Sequence, residues 1–444
     1  MIRTVFMTFV ALLVIASPAL AEGWDGDDWD DWNDWGDADA VADSRDSHEW
    51  DSGGWAASPD VNLSGYLETT GLAVLPRVPG RDSTHLGLQT LLRLRGRFEP
   101  ATRLSVTLET ELIDRRGATH PATRAGIMGV PTGPDPDTAD SRQIHLDYLY
   151  GSAAFGPVDF RVGRQPLAWG TAYALNPTDL MNPASVAGLA GVEPPGITAL
   201  SAGLIPGARW GLEGYLGFED RSRYATALED LTGIDTLPFG IRARVFIGMW
   251  DFGLGMARAT EFDGVSTLNV DEYLTAEASG SIGKLLLYGE AALDLSVIDT
   301  NWSRTDRFLD TAVGVQRDLL DNLSLQAEYH RRGAGATDPD EYSTAYRLQG
   351  RLTGRDYLAG IGTFSLRDDT IRLTMAALGN LRDRSSALLP ELTWSVVDDF
   401  QLALGGSVFL GPSDSEFDGR VSDGNSGEID TGLPQIYARA TWYF

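Results

Sequence analysis

The chain has 444 residues, with 50 glycines, no cysteine and a formal net charge of −28. The absence of cysteine excludes a disulfide framework and a lipid-modified amino-terminal cysteine, and so acidic a protein is a poor partner for nucleic acid. After residue 21 no apolar run reaches the roughly 18 residues that a membrane-spanning helix needs.

The first 21 residues are organised like a secretory signal peptide. Arg3 supplies a positive charge, residues 5–17 are largely apolar, and Ala19-Leu20-Ala21 is a small-x-small cleavage site. Such a segment is too short and wrongly flanked for a permanent membrane helix. We therefore expect residues 1–21 to be removed, and the mature chain to be either exported in soluble form or placed in an outer membrane.

Residues 22–59 form a separate acidic segment that is rich in tryptophan. They contain eleven Asp, two Glu and one Arg, a net charge of −12, together with six tryptophans, at 24, 29, 32, 35, 50 and 55. This aspartate density precludes a packed core and predicts a disordered periplasmic tail. The alternatives are docking of the tryptophans on a periplasmic partner or in the mouth of the following domain, and weak calcium binding, although the ligand series of an EF-hand is missing.

From residue 60 onwards, the chain consists of short segments in which apolar and polar residues alternate, separated by glycines and polar turns. Residues 85–98 carry apolar side chains on even positions and polar ones, including three arginines, on odd positions; residues 103–113 alternate in the same way. The tight connection 99–102 predicts an antiparallel hairpin. Two carboxylates, Glu109 and Glu111, are then expected to lie near two arginines, Arg93 and Arg95, across the ladder, where opposite charges attract.

A soluble β-sandwich alternates in the same way, but three features favour a membrane barrel. Many segments reach about ten residues, the length of a tilted membrane-spanning strand. Tight and long connections alternate. Aromatic residues cluster at segment ends, as in an interfacial girdle: Tyr148, Tyr150, Trp250, Trp394 and Trp442 to Phe444. Because lipid offers no partner to an open sheet edge, such a sheet must close on itself.

Counting the connections predicts the architecture. Eight tight turns are predicted at 99–102, 155–157, 205–208, 248–251, 283–284, 318–322, 367–369 and 397–399. Nine long loops are predicted near 75–83, 116–141, 170–196, 220–237, 263–270, 299–306, 332–356, 381–387 and 411–432. Together they give eighteen strands, with sixteen as the alternative. Residues 342–352 are assigned to the seventh long loop, because an additional strand there would make the count odd. Both termini then lie on the side of the tight turns, the periplasm. The sequence thus predicts an all-β protein, a single antiparallel transmembrane β-barrel over residues 60–444 in the outer membrane.

Eighteen strands enclose a lumen too wide for side chains to fill, so we expect it to contain water. The simpler interpretation of the charges on its wall is that they form cross-strand ion pairs in contact with solvent. The alternative is a stripe of arginines opposed by carboxylates, which would set an electric field across the pore and orient dipolar or anionic solutes. The predicted pore-lining residues are Arg93, Arg95, Arg97, Glu109, Glu111, Asp147, Arg161, Arg242, Arg244 and Arg372. The same parity places His145, Glu213, Glu277, Glu290, Glu328, His330, Glu391 and Arg439 inward.

The third long loop, residues 170–196, is the most distinctive part of the sequence. It combines Asn-Pro, Pro and Gly punctuation with several apolar residues that a purely solvated loop does not need. Folding inward against the barrel wall would bury these residues. We therefore expect the loop to narrow the lumen.

One pattern in this region carries a family resemblance: Gly163-Arg164-Gln165, Trp169-Gly170 and Asn176-Pro177-x-Asp179. It resembles porin-like outer-membrane barrels of Gram-negative bacteria, including relatives of alginate-export barrels. The resemblance implies a constriction formed by the third loop, with candidate residues Trp169, Asn176, Asp179 and Glu193. It also implies contact with outer-membrane lipid and a homotrimer as one candidate assembly. The carboxy-terminal Trp442 and Phe444 resemble the signal that the barrel assembly machinery reads.

The sequence gives little support for an enzyme and indicates no cofactor or metal site. It has five histidines but no HxxxH pair, GxSxG elbow or phosphate-binding loop. His145 and Asp147 suit a wall ion pair as well as a catalytic dyad, and no nucleophile accompanies them. Two other classes remain: a channel for passive diffusion of small hydrophilic solutes or ions, and a structural sheath around an inserted partner, as in porin–cytochrome conduits. An outer-membrane hydrolase ranks below both.

Overall fold

A computed structural model of the chain describes twelve ranges of residues: 60–75, 85–101, 103–117, 141–181, 196–219, 235–262, 268–295, 308–342, 352–418, 420–422, 428–430 and 434–444. The predicted signal peptide, the acidic tail, Glu193 and residues 343–351 lie outside them. Within these ranges no helix is both long enough and apolar enough to span a membrane.

Eighteen long strands form one antiparallel sheet. They are β1 (Asp60–Val74), β2 (His85–Ala101), β3 (Leu104–Gly117), β4 (Ser141–Phe155), β5 (Val158–Gln165), β6 (Ile197–Gly207), β7 (Trp210–Gly217), β8 (Phe239–Ile247), β9 (Trp250–Phe262), β10 (Leu268–Ile282), β11 (Leu285–Asp294), β12 (Leu309–Leu320), β13 (Leu323–Arg331), β14 (Asp356–Leu366), β15 (Ile371–Asn380), β16 (Ser385–Val397), β17 (Phe400–Leu410) and β20 (Gln435–Tyr443). The last long connection contains a small hairpin of β18 (Arg420–Ser422) and β19 (Glu428–Asp430). Among the residues that the structure describes, two 3-10 helices, Pro339–Glu341 and Glu416–Asp418, lie in the seventh and ninth long loops.

The first and last long strands close the sheet into a barrel. β1 pairs with β2 on one side and with β20 on the other, so that Tyr66 is opposite both Arg93 and Tyr443. Consequently none of the eighteen described long strands has a free edge, which is the condition for a sheet in lipid. The predicted count of eighteen is confirmed, and the alternative of sixteen is wrong.

Tight turns and longer loops alternate along the chain. Each predicted tight turn coincides, within a residue or two, with a short connection between strands. Two of these turns begin with Gly248 and Gly283, whose φ angles of 65° and 63° suit glycine without strain. One expectation is wrong: the eighth connection, predicted as a long loop over 381–387, is a four-residue turn between Asn380 and Ser385, and β16 begins earlier.

The two faces of the barrel wall differ as the alternation predicts. On β2, Leu94 and Phe98 are 39% and 42% exposed, whereas Arg93 is buried. Large apolar side chains at outward-facing positions are exposed on strands all around the ring, from Leu67 on β1 to Trp442 on β20. Soluble monomers rarely expose apolar surface on this scale. The exposed residues form the apolar outer belt of a membrane barrel.

A β-bulge on β4 changes which residues of that strand face inward. Asp147 and Tyr148 are adjacent yet both buried, because the β3–β4 register shifts at this point. Beyond the bulge, Tyr148 lies opposite Glu109, and Tyr150 lies opposite Thr107. The assignment of these two tyrosines to an outer aromatic girdle is therefore wrong, since one inserted residue exchanges the two faces of a strand.

The outer belt makes a depth-dependent prediction. Leu254 lies on the outward face near the middle of β9, and Ile282 ends β10 beside a tight turn. Leu254→Arg is expected to destabilise the barrel by about 2–4 kcal/mol and Ile282→Arg by about 0–1 kcal/mol, because arginine costs most at the bilayer midplane. Denaturant unfolding in lipid vesicles measures both. Equal costs at the two positions would contradict a lipid-facing belt.

Candidate functional site

The third long loop turns into the barrel. Residues 166–181, which follow β5, are called the inner loop segment. They contact inward-facing side chains of strands that lie far apart around the ring. Trp169 shares a buried cluster with Tyr215 of β7, and Leu175 shares another with Tyr357 of β14. A segment that reaches the inner faces of both strands must cross the lumen side of the wall. The predicted inward folding of the loop agrees with these contacts.

Trp169 is fixed by three wall residues. Its ring meets Tyr215 edge-on at a centroid distance of 4.8 Å, and the Arg242 guanidinium lies 4.9 Å from the ring centroid. It also packs over Gly240, where an added Cβ would lie 2.6 Å from the indole. Arg242 contributes a cation–π contact as well as a charge. The absence of a side chain at position 240 is what lets the indole reach the wall.

A carboxylate on β11 holds the first half of the inner loop segment. Glu290 is 4% exposed. It accepts hydrogen bonds from the backbone N–H groups of Thr171 and Ala172, at 2.6 and 3.2 Å, and from that of Thr178 at 3.3 Å. Hydrogen bonds to a carboxylate are stronger than neutral ones, so this single side chain fixes both ends of a turn in the loop.

A second carboxylate, on β13, holds the next residues. Glu328 accepts from the backbone N–H groups of Tyr173, Ala174 and Leu175 at 2.8, 3.2 and 2.9 Å. The Tyr288 hydroxyl donates to the same carboxylate at 3.1 Å. Buried backbone donors need acceptors, and here the wall supplies them. The alternation in the sequence placed both glutamates on the inner wall. It did not indicate their backbone N–H partners in the loop, which lie 112 to 155 residues away.

The ninth long loop is tied to the same side of the barrel. Glu416 accepts hydrogen bonds from the hydroxyls of Thr353 and Tyr357, the latter at 2.7 Å. Its neighbour Phe417 is fully buried and belongs to one apolar cluster with Leu175. Residues of the third, seventh and ninth loops therefore meet on the inner face of β14–β16.

The seventh loop has its own anchor. The Tyr342 hydroxyl donates to Asp383 at 3.0 Å, and the Asn380 amide donates to the Tyr342 oxygen at 2.8 Å. Burial, and then the neighbouring Asp383 carboxylate, raise the pKa of Tyr342, so this hydroxyl remains a donor. Asp383 also accepts from the backbone N–H of Glu416 at 2.7 Å, which links the seventh and ninth loops.

An ion-pair network lies on β2–β4. Arg93 pairs with Glu109, Glu111 and Asp147 at 3.0, 2.7 and 3.3 Å, and Arg95 pairs with Glu109 at 2.6 Å. Arg93 is opposite Glu111, and Arg95 is opposite Glu109, in the β2–β3 ladder. The predicted hairpin register is confirmed.

A second network lies further round the ring, on β7–β10. Arg242 pairs with Glu213 at 2.7 Å and with Glu277 at 2.8 Å. Arg244 pairs with Asp251 and, at 3.8 Å, with Glu213. These arginines and those of β2 belong to different networks and are paired with carboxylates on their own side of the barrel. This arrangement differs from the alternative of one arginine stripe facing carboxylates on an opposite wall.

A third, smaller network joins the closing strands. Arg439 of β20 pairs with Glu391 of β16 at 2.9 Å and approaches Glu68 of β1 at 3.9 Å. The Tyr437 hydroxyl donates to Glu391 at 2.6 Å. All three charged side chains are between 18% and 31% exposed, so they remain accessible to solvent.

The other predicted pore-lining residues lie at separate places on the inward parity. Arg97 pairs with Glu99 at 2.7 Å near the tight-turn end, and its side chain is 59% exposed. Arg161 of β5 is opposite Ser201, and Arg372 of β15 is opposite Ser365. The structure does not bring these three arginines into one group.

The remaining candidates divide between the loop and the carboxyl terminus. Asp179 is buried and donates its backbone N–H to the Asn176 carbonyl at 3.3 Å. Phe444 and Trp442 are about equally exposed on the outer face. The main chain of Phe444 exchanges two hydrogen bonds with Gly65, at 2.9 and 3.0 Å, so the ladder runs to the last residue. An assembly role for these aromatics stays a prediction.

The arrangement of His145 and Asp147 does not favour a catalytic dyad. The imidazole Nε2 is 4.0 Å from the carboxylate. Asp147 binds Arg93 through one oxygen and accepts the Gly196 backbone N–H at 3.2 Å through the other. Within the described ranges no side-chain hydroxyl is hydrogen-bonded to the imidazole of His145.

These features define the class of the protein. A closed ring of eighteen antiparallel strands with an apolar outer belt and a charged inner wall is a porin-like β-barrel of the outer-membrane type. No family model matches the chain, and no curated protein matches its sequence.

Solved structures of similar architecture include OccD3 (OpdP) of Pseudomonas aeruginosa, with 8% identity, 86% of this chain and 91% of that chain covered, and a TM-score of 0.46. A triple mutant of the Rhodopseudomonas blastica porin has 12% identity, coverage of 87% and 100%, and a TM-score of 0.40. OmpT of Vibrio cholerae in its trimer form has 11% identity, coverage of 87% and 100%, and a TM-score of 0.38. At such identities the likeness concerns overall fold and extends to no residue or solute.

The carboxylate anchors can be tested by isosteric substitution. In Glu328→Gln, an amide NH₂ replaces one acceptor oxygen and leaves at least one buried loop N–H unpaired, at a cost of about 1–3 kcal/mol. Hydrogen exchange of peptides covering residues 170–178 is expected to accelerate, while exchange of the strands stays unchanged. Glu391→Gln, on the inner wall but outside the loop contacts, is the matched control. Unaltered exchange of the loop in Glu328→Gln would contradict the anchoring role.

Proposed function

We propose that the protein is an outer-membrane porin, a water-filled channel for passive diffusion of small hydrophilic solutes or ions. In this proposal the inner loop segment narrows the lumen, with Trp169, Asn176 and Asp179 at the constriction. The observation that carries the proposal is the loop backbone bound to Glu290 and Glu328 inside a closed barrel whose exterior is apolar.

The inner wall has two different regions, and only one suits a water-filled path. On β14–β16 it is apolar, and residues of three loops pack there around Tyr357 and Leu378. On β2–β4 and β20 it carries the ion pairs of Arg93 and Arg439. Paired charges are tolerated best beside water, because desolvation is what makes buried ion pairs costly. Arg93 and its carboxylate partners are at most 10% exposed, whereas the side chains of the Arg439 network are 18–31% exposed. The proposed path for solutes therefore runs along the Arg439 network.

The orientation follows from the ends of the described chain. Asp60 lies opposite Glu99 near the β2–β3 turn, and Trp442 lies opposite Phe400 just after the β16–β17 turn. Both ends of the barrel sequence are thus on the side of the tight turns, which is periplasmic in bacterial outer-membrane barrels. The outward belt would contact outer-membrane lipid. A homotrimer stays a prediction, testable by light scattering of the purified protein in detergent.

A sheath around an inserted partner is less well supported. A sheath needs a lumen free for another protein, whereas here the chain's own loop crosses the inner wall and is held by six backbone hydrogen bonds. Hydrogen bonds of that number would have to break before a partner could take the place of the loop. The fixed loop therefore favours a channel.

Single-channel recording tests the proposed function. The purified full-length protein, folded in detergent and added to a planar bilayer, is expected to give steady conductance steps. Folding is checked independently by far-UV circular dichroism. Folded protein that inserts without producing steps would overturn the channel. Co-purification of a stoichiometric haem protein would favour the sheath instead.

The role of the loop as a constriction is tested in the same assay. Glu290→Gln combined with Glu328→Gln weakens both anchors and is expected to raise the mean single-channel conductance and its fluctuation, because the loop leaves its position against the wall. Glu272→Gln is the control, since Glu272 pairs with Arg258 at 2.8 Å on the outward parity of β10. A double variant with the wild-type conductance would exclude a narrowing role for these loop contacts.

A further inference from the structure

The inner-wall networks share one property that neither the fold nor the proposed channel requires. Each contains more carboxylates than guanidinium groups. The network on β2–β4 joins Arg93 and Arg95 to three carboxylates, Glu109, Glu111 and Asp147. The network on β7–β10 joins Arg242 and Arg244 to three, Glu213, Glu277 and Asp251. Arg439 is joined to two, Glu68 and Glu391.

One further carboxylate on the inner wall, Glu328, increases this excess. It is bound by backbone N–H groups and by a tyrosine hydroxyl. These donors are neutral dipoles, which stabilise a negative charge without cancelling it. On the inward positions of the described strands the other arginines are balanced: Arg97 by Glu99, Arg161 by Asp159 on the same strand, and Arg115 and Arg372 by an equal number of inward carboxylates, Asp294 and Asp310.

We infer that the channel passes cations in preference to anions. The inference rests on the proposed function and adds to it the class of ion. Wall charges act across the lumen because the Debye length is about 10 Å at 0.1 M salt. A surplus of carboxylates on three separate parts of the ring gives a negative potential around the path, and such a potential concentrates cations and repels anions.

The Arg439 network is the most accessible part of this charge. The side chains of Glu68, Arg439 and Glu391 are 18%, 31% and 25% exposed. By contrast, Glu109 is fully buried and Glu277 nearly so. Because solvated ions approach exposed groups more closely, substitutions in the Arg439 network are expected to change selectivity most directly while leaving the buried packing in place.

The reversal potential in a KCl gradient measures the preference. With purified full-length protein in a planar bilayer, we expect a potassium-to-chloride permeability ratio above one. Clear conductance steps with a ratio of one or below would overturn the inference and leave the channel intact. A folded protein without any conductance would overturn the proposed function, and the inference with it.

Two opposite substitutions test the assignment to the wall. Glu68→Gln with Glu391→Gln leaves Arg439 without a carboxylate partner in its network and is expected to lower the permeability ratio roughly twofold or more. Arg439→Gln is expected to raise it. General damage to the barrel would not produce changes of opposite sign.

The control is Glu272→Gln, which removes one carboxylate charge from the outward face, where Glu272 pairs with Arg258. It is expected to keep the wild-type permeability ratio. An equal shift in this control, or an unchanged ratio in the double glutamine variant, would overturn the assignment of selectivity to inner-wall carboxylates.

Discussion

The hydrogen-bond ladder between β1 and β20 is the constraint on which the rest of the structure depends. In hydrocarbon an unpaired strand edge cannot be satisfied by water, so the sheet is stable there only as a closed ring. Pairing of Phe444 with Gly65 carries the ladder to the last residue. Once the ring is closed, each strand has one face towards lipid and one towards the lumen, and the ion-pair networks of Arg93, Arg242 and Arg439 lie on the second.

The inner loop segment solves a different problem, that of keeping irregular backbone inside a barrel. Its N–H groups would otherwise need water, and two wall carboxylates replace that water with six hydrogen bonds. The acceptors are the carboxylates of Glu290 and Glu328, which lie on strands separated only by β12. Apolar contacts with Leu175 and Phe417 then exclude water from the same side of the lumen. The wall is thereby divided into a packed region and a charged one.

On the charged region, cross-strand pairing and net charge have separate consequences. Pairing satisfies each guanidinium group locally, as between Arg93 and Glu111, and keeps the wall compatible with a β-ladder. The surplus of carboxylates survives this pairing and sets the sign of the field in the lumen. Local neutralisation and long-range selectivity can therefore be specified by the same residues.

The sequence by itself determined the features that depend on near neighbours. Period-two alternation identified the strands and their outward face, because alternation is a property of consecutive residues. With the tight turn between β2 and β3, it also placed Glu109 and Glu111 near Arg93 and Arg95. The bulge at Asp147 was missed, although the outward apolar residues change there from even positions, Ile144 and Leu146, to an odd one, Leu149. Only the tertiary structure decided what Glu290, Glu328 and Glu416 bind. Their partners are backbone and hydroxyl groups that lie far away in sequence and leave no trace in local composition.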